Sequence, residues 1–204
     1  MRGSTQATKE RIVQSAYELF CRRGYARASV DVIAQKSGLT KRTLYYHFRS
    51  KDDLLASVFE LHRGLALKRL ADWADTLSGD VDRLLDGLFT DLASWASQPR
   101  WTGAGFTRVV MELADLPGHP ARAIARLHKA EIEAWIATQL AEHGIPDSAG
   151  RAQQVMLLLE GCLSLLLIHG NKGCTDAATA AARQLVRGEA HEAPAGRRLS
   201  ATVG

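Results

Sequence analysis

The sequence predicts an all-α protein of about nine helices, and three observations predict it. Apolar residues recur at helical intervals along most of the 204-residue chain. No β-branched run alternates at period two, and no Asn-Gly or Asp-Gly separates such runs. Capping residues and Gly or Pro breakers fall at distances that suit helices of ordinary length.

The first helix is expected over residues 8–23. Ile12, Ala16, Leu19 and Phe20 share one face, Thr8 is its expected cap, and Gly24 supplies a left-handed stop. Ser29 caps a second helix that ends at Gly38, with Val30, Ile33 and Ala34 apolar. Gly38-Leu39-Thr40 makes the turn, Leu39 plugging the angle and Thr40 capping a third helix over 41–48. Ser50-Lys51-Asp52-Asp53 is a capping box that opens a fourth helix running to about residue 77. In that helix Leu54, Leu55, Val58, Leu61 and Leu65 are expected inside.

Ser78-Gly79-Asp80 breaks the fourth helix, and Asp80 caps a fifth over 81–97. A sixth is expected over 103–114, between Pro99 and Asp115-Leu116-Pro117-Gly118. A seventh begins at Pro120, a good first-turn residue, and stops at Gly144. Asp147 caps an eighth that reaches His169. Thr175 is expected to cap a ninth over 176–187, and the sequence from Gly188 onward has the composition of a disordered tail.

Charge divides the chain. Residues 1–51 hold eleven Lys or Arg against three acids, a net +8, and the rest carries fifteen basic against nineteen acidic residues. A basic first quarter on an acidic body points to a polyanionic partner for that quarter. Three cysteines (Cys21, Cys162, Cys174) without a CxxC predict neither a disulfide framework nor a zinc finger. The first residues have no apolar core of a secretory leader, so a cytoplasmic protein is expected. The run from 155 to 168 is apolar for 14 residues and contains Glu160, short of the ~20 that a membrane span needs.

Residues 30–51 have the parts of a helix-turn-helix: a short bracing helix, a tight Gly turn, and a second helix with a basic, hydroxyl and aromatic face. At 100° per residue Leu44 and Phe48 turn inward while Arg42 and Tyr46 point the opposite way. Lys41 and Arg42 can donate to guanine, and Thr43 can meet a base edge or a thymine methyl. Tyr45, Tyr46, His47 and Lys51 suit phosphate and sugar. Lys51 also stands at a helix N-terminus, which favours an anion.

Residues 8 to about 60 resemble the N-terminal domain of TetR-type (tetracycline-repressor-like) transcriptional regulators. The resemblance rests on LFCRRGY at 19–25 and ASVDVIAQKSGLTKRTLYYHFRSKDDLL at 28–55. It implies an N-terminal three-helix DNA-binding domain (1–52), a C-terminal helical domain for effector binding and dimerisation (53–187) and a tail (188–204). It implies a homodimeric repressor of a palindromic double-stranded DNA operator, released by a small-molecule effector. Lys41, Arg42, Thr43 and Tyr45 would then meet bases, and Ser29, Tyr46, His47 and Lys51 phosphates. Arg42 stands where many members have Gly or a small residue, so an operator sequence does not carry over.

The family pairs its last two helices. The expected interface therefore comprises Val155, Leu158, Gly161, Cys162, Leu165, Ala178, Ala181, Ala182 and Leu185. The effector pocket is expected among helices four to eight, where Trp73, Phe89, Trp95, Trp101, Phe106, Met111, His128, Trp135 and Met156 lie, with Glu112, His128 and Glu131 as polar handles. No hydrolase elbow, zinc-protease motif or phosphate loop is present in the sequence, so no enzyme, metal or cofactor is expected. The alternatives are a constitutive DNA-binding protein without effector, which a closed body would favour, and a small helical enzyme.

Overall fold

The structure is a computed structural model, and it describes residues 2–76, 80–98, 101, 106–170 and 173–188. Among these residues there are nine helices and no strand: α1 (Arg2–Arg23), α2 (Val30–Lys36), α3 (Lys41–His47), α4 (Lys51–Thr76), α5 (Val81–Ala96), α6 (Phe106–Glu112), α7 (Pro120–Glu142), α8 (Ser148–His169) and α9 (Gly173–Arg187). The all-α expectation is borne out. The tail from 189, Ser78-Gly79, Pro99, the expected start of the sixth helix at 103 and the Trp73 and Phe106 side chains lie outside the described residues.

Local chemistry sets the helix ends. The Ser29 hydroxyl accepts from Val32 N at 3.3 Å, and Thr40 Oγ1 from Thr43 N at 3.1 Å. Gly38 has φ +64, with Gly38 N donating to Gln35 O and Leu39 N to Ala34 O. This paired closure satisfies the carbonyls at the end of α2 and swings the chain into α3. At the start of α4, Asp53 N donates to the Ser50 hydroxyl, and the Asp53 carboxylate accepts from Arg49 N, both at 3.0 Å.

Two expected caps are corrected. α1 continues past Thr8 to Arg2, because nothing upstream breaks it and Gln6 bonds Glu10 one turn on at 2.8 Å. α9 begins at Gly173, so Thr175 lies within its first turn, 4% exposed, and not at its cap. On α4, Leu54, Leu55 and Val58 are buried, but Leu61 and Leu65 are exposed. By that point the helix has left the N-terminal core.

Two apolar clusters organise the chain. The first gathers Ile12, Ala16, Phe20, Ile33, Leu44, Phe48, Leu54, Leu55 and Val58 from α1 to α4, with Val109 and Leu113 of α6 and Ala121 and Ala125 of α7. The second gathers Leu85, Phe89, Ile136, Leu140, Val155, Leu166, Ala178 and Ala182 from α5 and α7 to α9. α4 packs on both α1 and α7, and α7 on α8. Arg183 and Arg187 of α9 pair with Asp86 and Asp82 of α5 and fasten the second cluster at its edge. By length and composition α8 could cross a membrane; here it packs on α7, α9 and α5.

Candidate nucleic-acid interface and effector cavities

α3 is held by its inner side. Leu44 is 0% and Phe48 2% exposed, and these two anchors fix which way the rest of the helix faces. Lys41, Arg42, Tyr45 and Tyr46 are all exposed, Tyr46 by 81%. Thr43 and His47 are half-buried; the Thr43 hydroxyl lies 2.9 Å from that of Thr40, and the His47 ring sits edge-on to Tyr46. Lys41 pairs with Asp31 of α2 at 3.1 Å in an exposed ion pair, which solvent screening keeps weak and exchangeable.

Ser29 and Lys51 flank this face but are already engaged. Ser29 caps α2. The Lys51 ammonium lies 4.1 Å from the Tyr25 ring centre and donates to Ala26 O at 3.4 Å. Burial holds its pKa below the ordinary lysine value, against the pull of Asp52 and Glu112. The Tyr25 hydroxyl donates to Asp52, and burial followed by that carboxylate pushes its pKa up.

Behind this junction lies a feature that the sequence did not signal. Glu112, expected as a pocket handle, turns away from the body and accepts from Ala26 N at 3.1 Å. Gly24 has φ +81, and a Cβ there would collide with the Glu112 carboxylate. Arg108, also on α6, donates to Cys21 O at 2.9 Å. His119, the cap of α7, presents its ring edge-on to Tyr25, with Nε2 3.6 Å from Asp52 Oδ1. The α6–α7 elbow therefore rests directly on the α1–α2 turn and the start of α4. These contacts span 86 residues for Ala26–Glu112, beyond the reach of any local pattern.

The described residues enclose two sizeable cavities in the helical body. The larger, about 890 Å³, lies between α6, α7 and α8. Met111, Ala130, Ala134, Ala137 and Met156 give it apolar walls, and Arg122, Arg126, Lys129, Glu133 and Glu160 give it charge. Glu160 accepts from Thr107 at 3.0 Å and pairs with Lys129. The smaller, about 530 Å³, is bounded by Tyr17 of α1, His62 and Arg69 of α4, Trp95 of α5, His128 and Lys129 of α7 and Leu163 of α8. Tyr17 and His62 stack with ring centres 3.6 Å apart. Burial lowers the pKa of both His62 and His128 to about 4, with Lys129 adding to the effect at His128. Lys129 borders both cavities.

Of the expected pocket residues, Met111 and Met156 border the larger cavity, and Trp95 and His128 the smaller. Phe89 is corrected: it is 1% exposed in the second apolar cluster and is not among the residues that line either cavity. Trp101 and Trp135 pack against the same cluster, Trp101 edge-on to Trp95. Glu131 is held by Arg63 at 2.5 Å and borders neither cavity. Sequence reasoning missed Tyr17, on α1 and outside the helices expected to hold the pocket, and His62, on α4 and within them.

The expected pairing surface needs a similar correction. Val155, Cys162, Ala178 and Ala182 are 0–7% exposed and belong to the protomer's own core, so they cannot present a surface to a second copy. Leu158, Ala181 and Leu185 are half-buried, and Gly161 and Leu165 are exposed. Leu157 and Ile168 share the outward side of α8 with Gly161 and are 74% and 70% exposed.

A short helix anchored by Leu44 and Phe48, capped by Thr40 and carrying an open basic-aromatic face defines a helix-turn-helix protein of the DNA-binding class. Residues 12–58 match the family described as bacterial regulatory proteins, tetR family. The match covers the N-terminal domain, which over these residues is similar to that of TetR-type DNA-binding transcriptional regulators. It is 34% identical over 71 residues to the uncharacterized regulator YerO of Bacillus subtilis, covering 35% of this chain and 25% of that one. It is 36% identical over 88 residues to the repressor SCO4008 of Streptomyces coelicolor, covering 40% and 42%. The chain thus spans less than half the length of these curated relatives. Its fold is similar to that of a TetR transcriptional regulator from Chloroflexus aurantiacus, with TM-score 0.75, 26% identity and coverage of 92% and 98%.

Proposed function

We propose that the protein is a homodimeric, effector-responsive repressor acting in the cytoplasm on a palindromic operator. Residues 1–52 read DNA, and 53–187 hold the effector and the second copy. The observation that carries this reading is the face of α3, where Lys41, Arg42, Tyr45 and Tyr46 are all open to solvent on a helix locked from behind. Arg42 and Lys41 reach base edges, with Lys41 exchanging Asp31 for DNA. Thr43 and Tyr45 complete the base contacts. Tyr46, His47, Ser29 and Lys51 meet the backbone, and in doing so fix register rather than sequence.

Pairing supplies the affinity that one half-site lacks. Non-specific binding by a basic domain is typically about 10⁻⁴–10⁻⁶ M, whereas specific regulators work near 10⁻⁸–10⁻¹¹ M. The outward side of α8, from Leu157 through Gly161 and Leu165 to Ile168, meets its own copy in an apolar contact, with Ala181 and Leu185 of α9 at its margin. The two cavities favour a sensor over a constitutive binder. An effector there works through the α6–α7 elbow and α4, both of which touch the helix-turn-helix. The test is binding to the DNA upstream of the protein's own gene, measured across salt against random duplex. Tight, sequence-dependent binding by two copies supports the reading, and equal affinity for both duplexes overturns it.

A further inference from the structure

We propose that Cys162 and Cys174 form an oxidisable dithiol, which a hydroperoxide closes to an intramolecular disulfide joining α8 to the first turn of α9. The two lie twelve residues apart, outside any motif, yet each sulfur rests on the other's backbone. Cys162 Sγ donates to Cys174 O at 3.1 Å, and Cys174 Sγ lies 3.9 Å from Cys162 O. Each sulfur therefore lies against the other residue's main chain, which brings the two side chains to one point of the α8–α9 contact. Burial, followed by the neighbouring Cys174 thiol, raises the Cys162 pKa to about 12. A disulfide needs two cysteines whose side chains meet, and this pair alone among the three cysteines shows such mutual contacts in the described residues.

Burial assigns the roles. Cys174 is partly exposed and Cys162 is 3% exposed in the core. Cys174 Sγ therefore attacks the hydroperoxide first. The O–O bond breaks, sulfur takes up the distal oxygen as a sulfenic acid, and the remaining oxygen leaves as alcohol or water with a proton. Cys162 Sγ then attacks Cys174 Sγ, the S–O bond breaks, and hydroxide leaves as water with the Cys162 proton. Two thiols and one hydroperoxide give one disulfide, one alcohol or water, and one water. Cys21 is the internal control: it lies on α1 beside Tyr17, and its raised pKa comes first from burial.

The cross-link closes the loop between α8 and α9 and limits the freedom of the unfolded chain. It also stiffens the joint beneath Leu165, Ile168 and Ala181; this second consequence rests on the homodimer reading, and the first does not. The experiment treats the full-length native protein with hydrogen peroxide, then maps disulfide-linked peptides and records melting and dimer dissociation. Expected are loss of two hydrogens, a 162–174 linked peptide, Cys21 still reduced, and a melting temperature raised by several degrees that returns to its starting value with dithiothreitol. Cys174→Ser, at the more open position, should abolish both link and rise. A product that stops at oxidised Cys174, or a link made only between two chains, overturns the dithiol. A 162–174 link with unchanged dimer dissociation overturns only the effect on pairing.

Discussion

Replacing Leu157 by Asp separates the two sides of α8. The wild-type side chain is 74% exposed in the protomer, and Ile168, three turns further along the same side, is 70% exposed. Burying a leucine fully contributes about 1.5–3 kcal/mol. Scaled to the exposed fraction, pairing recovers roughly 1–2 kcal/mol per copy. In a two-fold contact every residue counts twice, giving about 2–4 kcal/mol. Leu157→Asp should therefore weaken the dimer by roughly 30- to 1,000-fold, before the further cost of bringing two carboxylates out of water. Sedimentation velocity over a dilution series reads the dissociation constant, and circular dichroism reads the protomer's melting. The protomer should melt normally, because the substitution is at its surface. Val155→Ala, at a site 0% exposed, should do the opposite: lower melting through a core cavity, without a specific effect on pairing. An unchanged dissociation constant in a folded Leu157→Asp protein would refute the assignment of this face.

Three further outcomes are expected. Arg42→Ala should alter sequence preference at one base position by about 1–3 kcal/mol, whereas Tyr46→Ala should weaken all duplexes alike; selection from a random library followed by binding titrations distinguishes them. Glu112→Ala should remove the acceptor at Ala26 N, about 0.5–1 kcal/mol for an exposed hydrogen bond, and lower the melting temperature by a few degrees in calorimetry. Because His62 and His128 both titrate near 4 when folded, against an ordinary 6.5, the unfolded chain takes up protons first as pH falls. Their contribution is complete above pH 6.5 and is lost between 6.5 and 4, so melting temperature should fall across that window, and replacing both by Gln should flatten the dependence.

What the sequence disclosed follows from the range of each interaction. Ser29, Gly38, Thr40 and the Ser50–Asp53 box act within four residues, so the helix-turn-helix could be drawn from the chain alone. The outward direction of Tyr46 followed from Leu44 on the same seven-residue helix and Phe48 at its C-terminal cap. α8 was harder because leucines occupy nearly its whole circumference: periodicity cannot choose a phase when both sides are apolar. Val155 and Cys162 were therefore expected outside, and Leu157 was passed over. Apart from Met111 and Met156, the wall of the larger cavity escaped because alanines form much of it, and a cavity is defined by the side chains that are small. Glu112 and the Cys162–Cys174 pair depend on helices meeting in space, which no spacing encodes.

The central claim is that two copies of the α3 face read two halves of one site. Hydroxyl-radical footprinting of a selected operator tests it most directly. Two protected blocks related by two-fold symmetry are expected, their centres one helical turn (about 34–36 Å) or a whole multiple apart, both lost together in Leu157→Asp at concentrations where it is monomeric. A single unsymmetrical block, unaffected by Leu157→Asp, would contradict it.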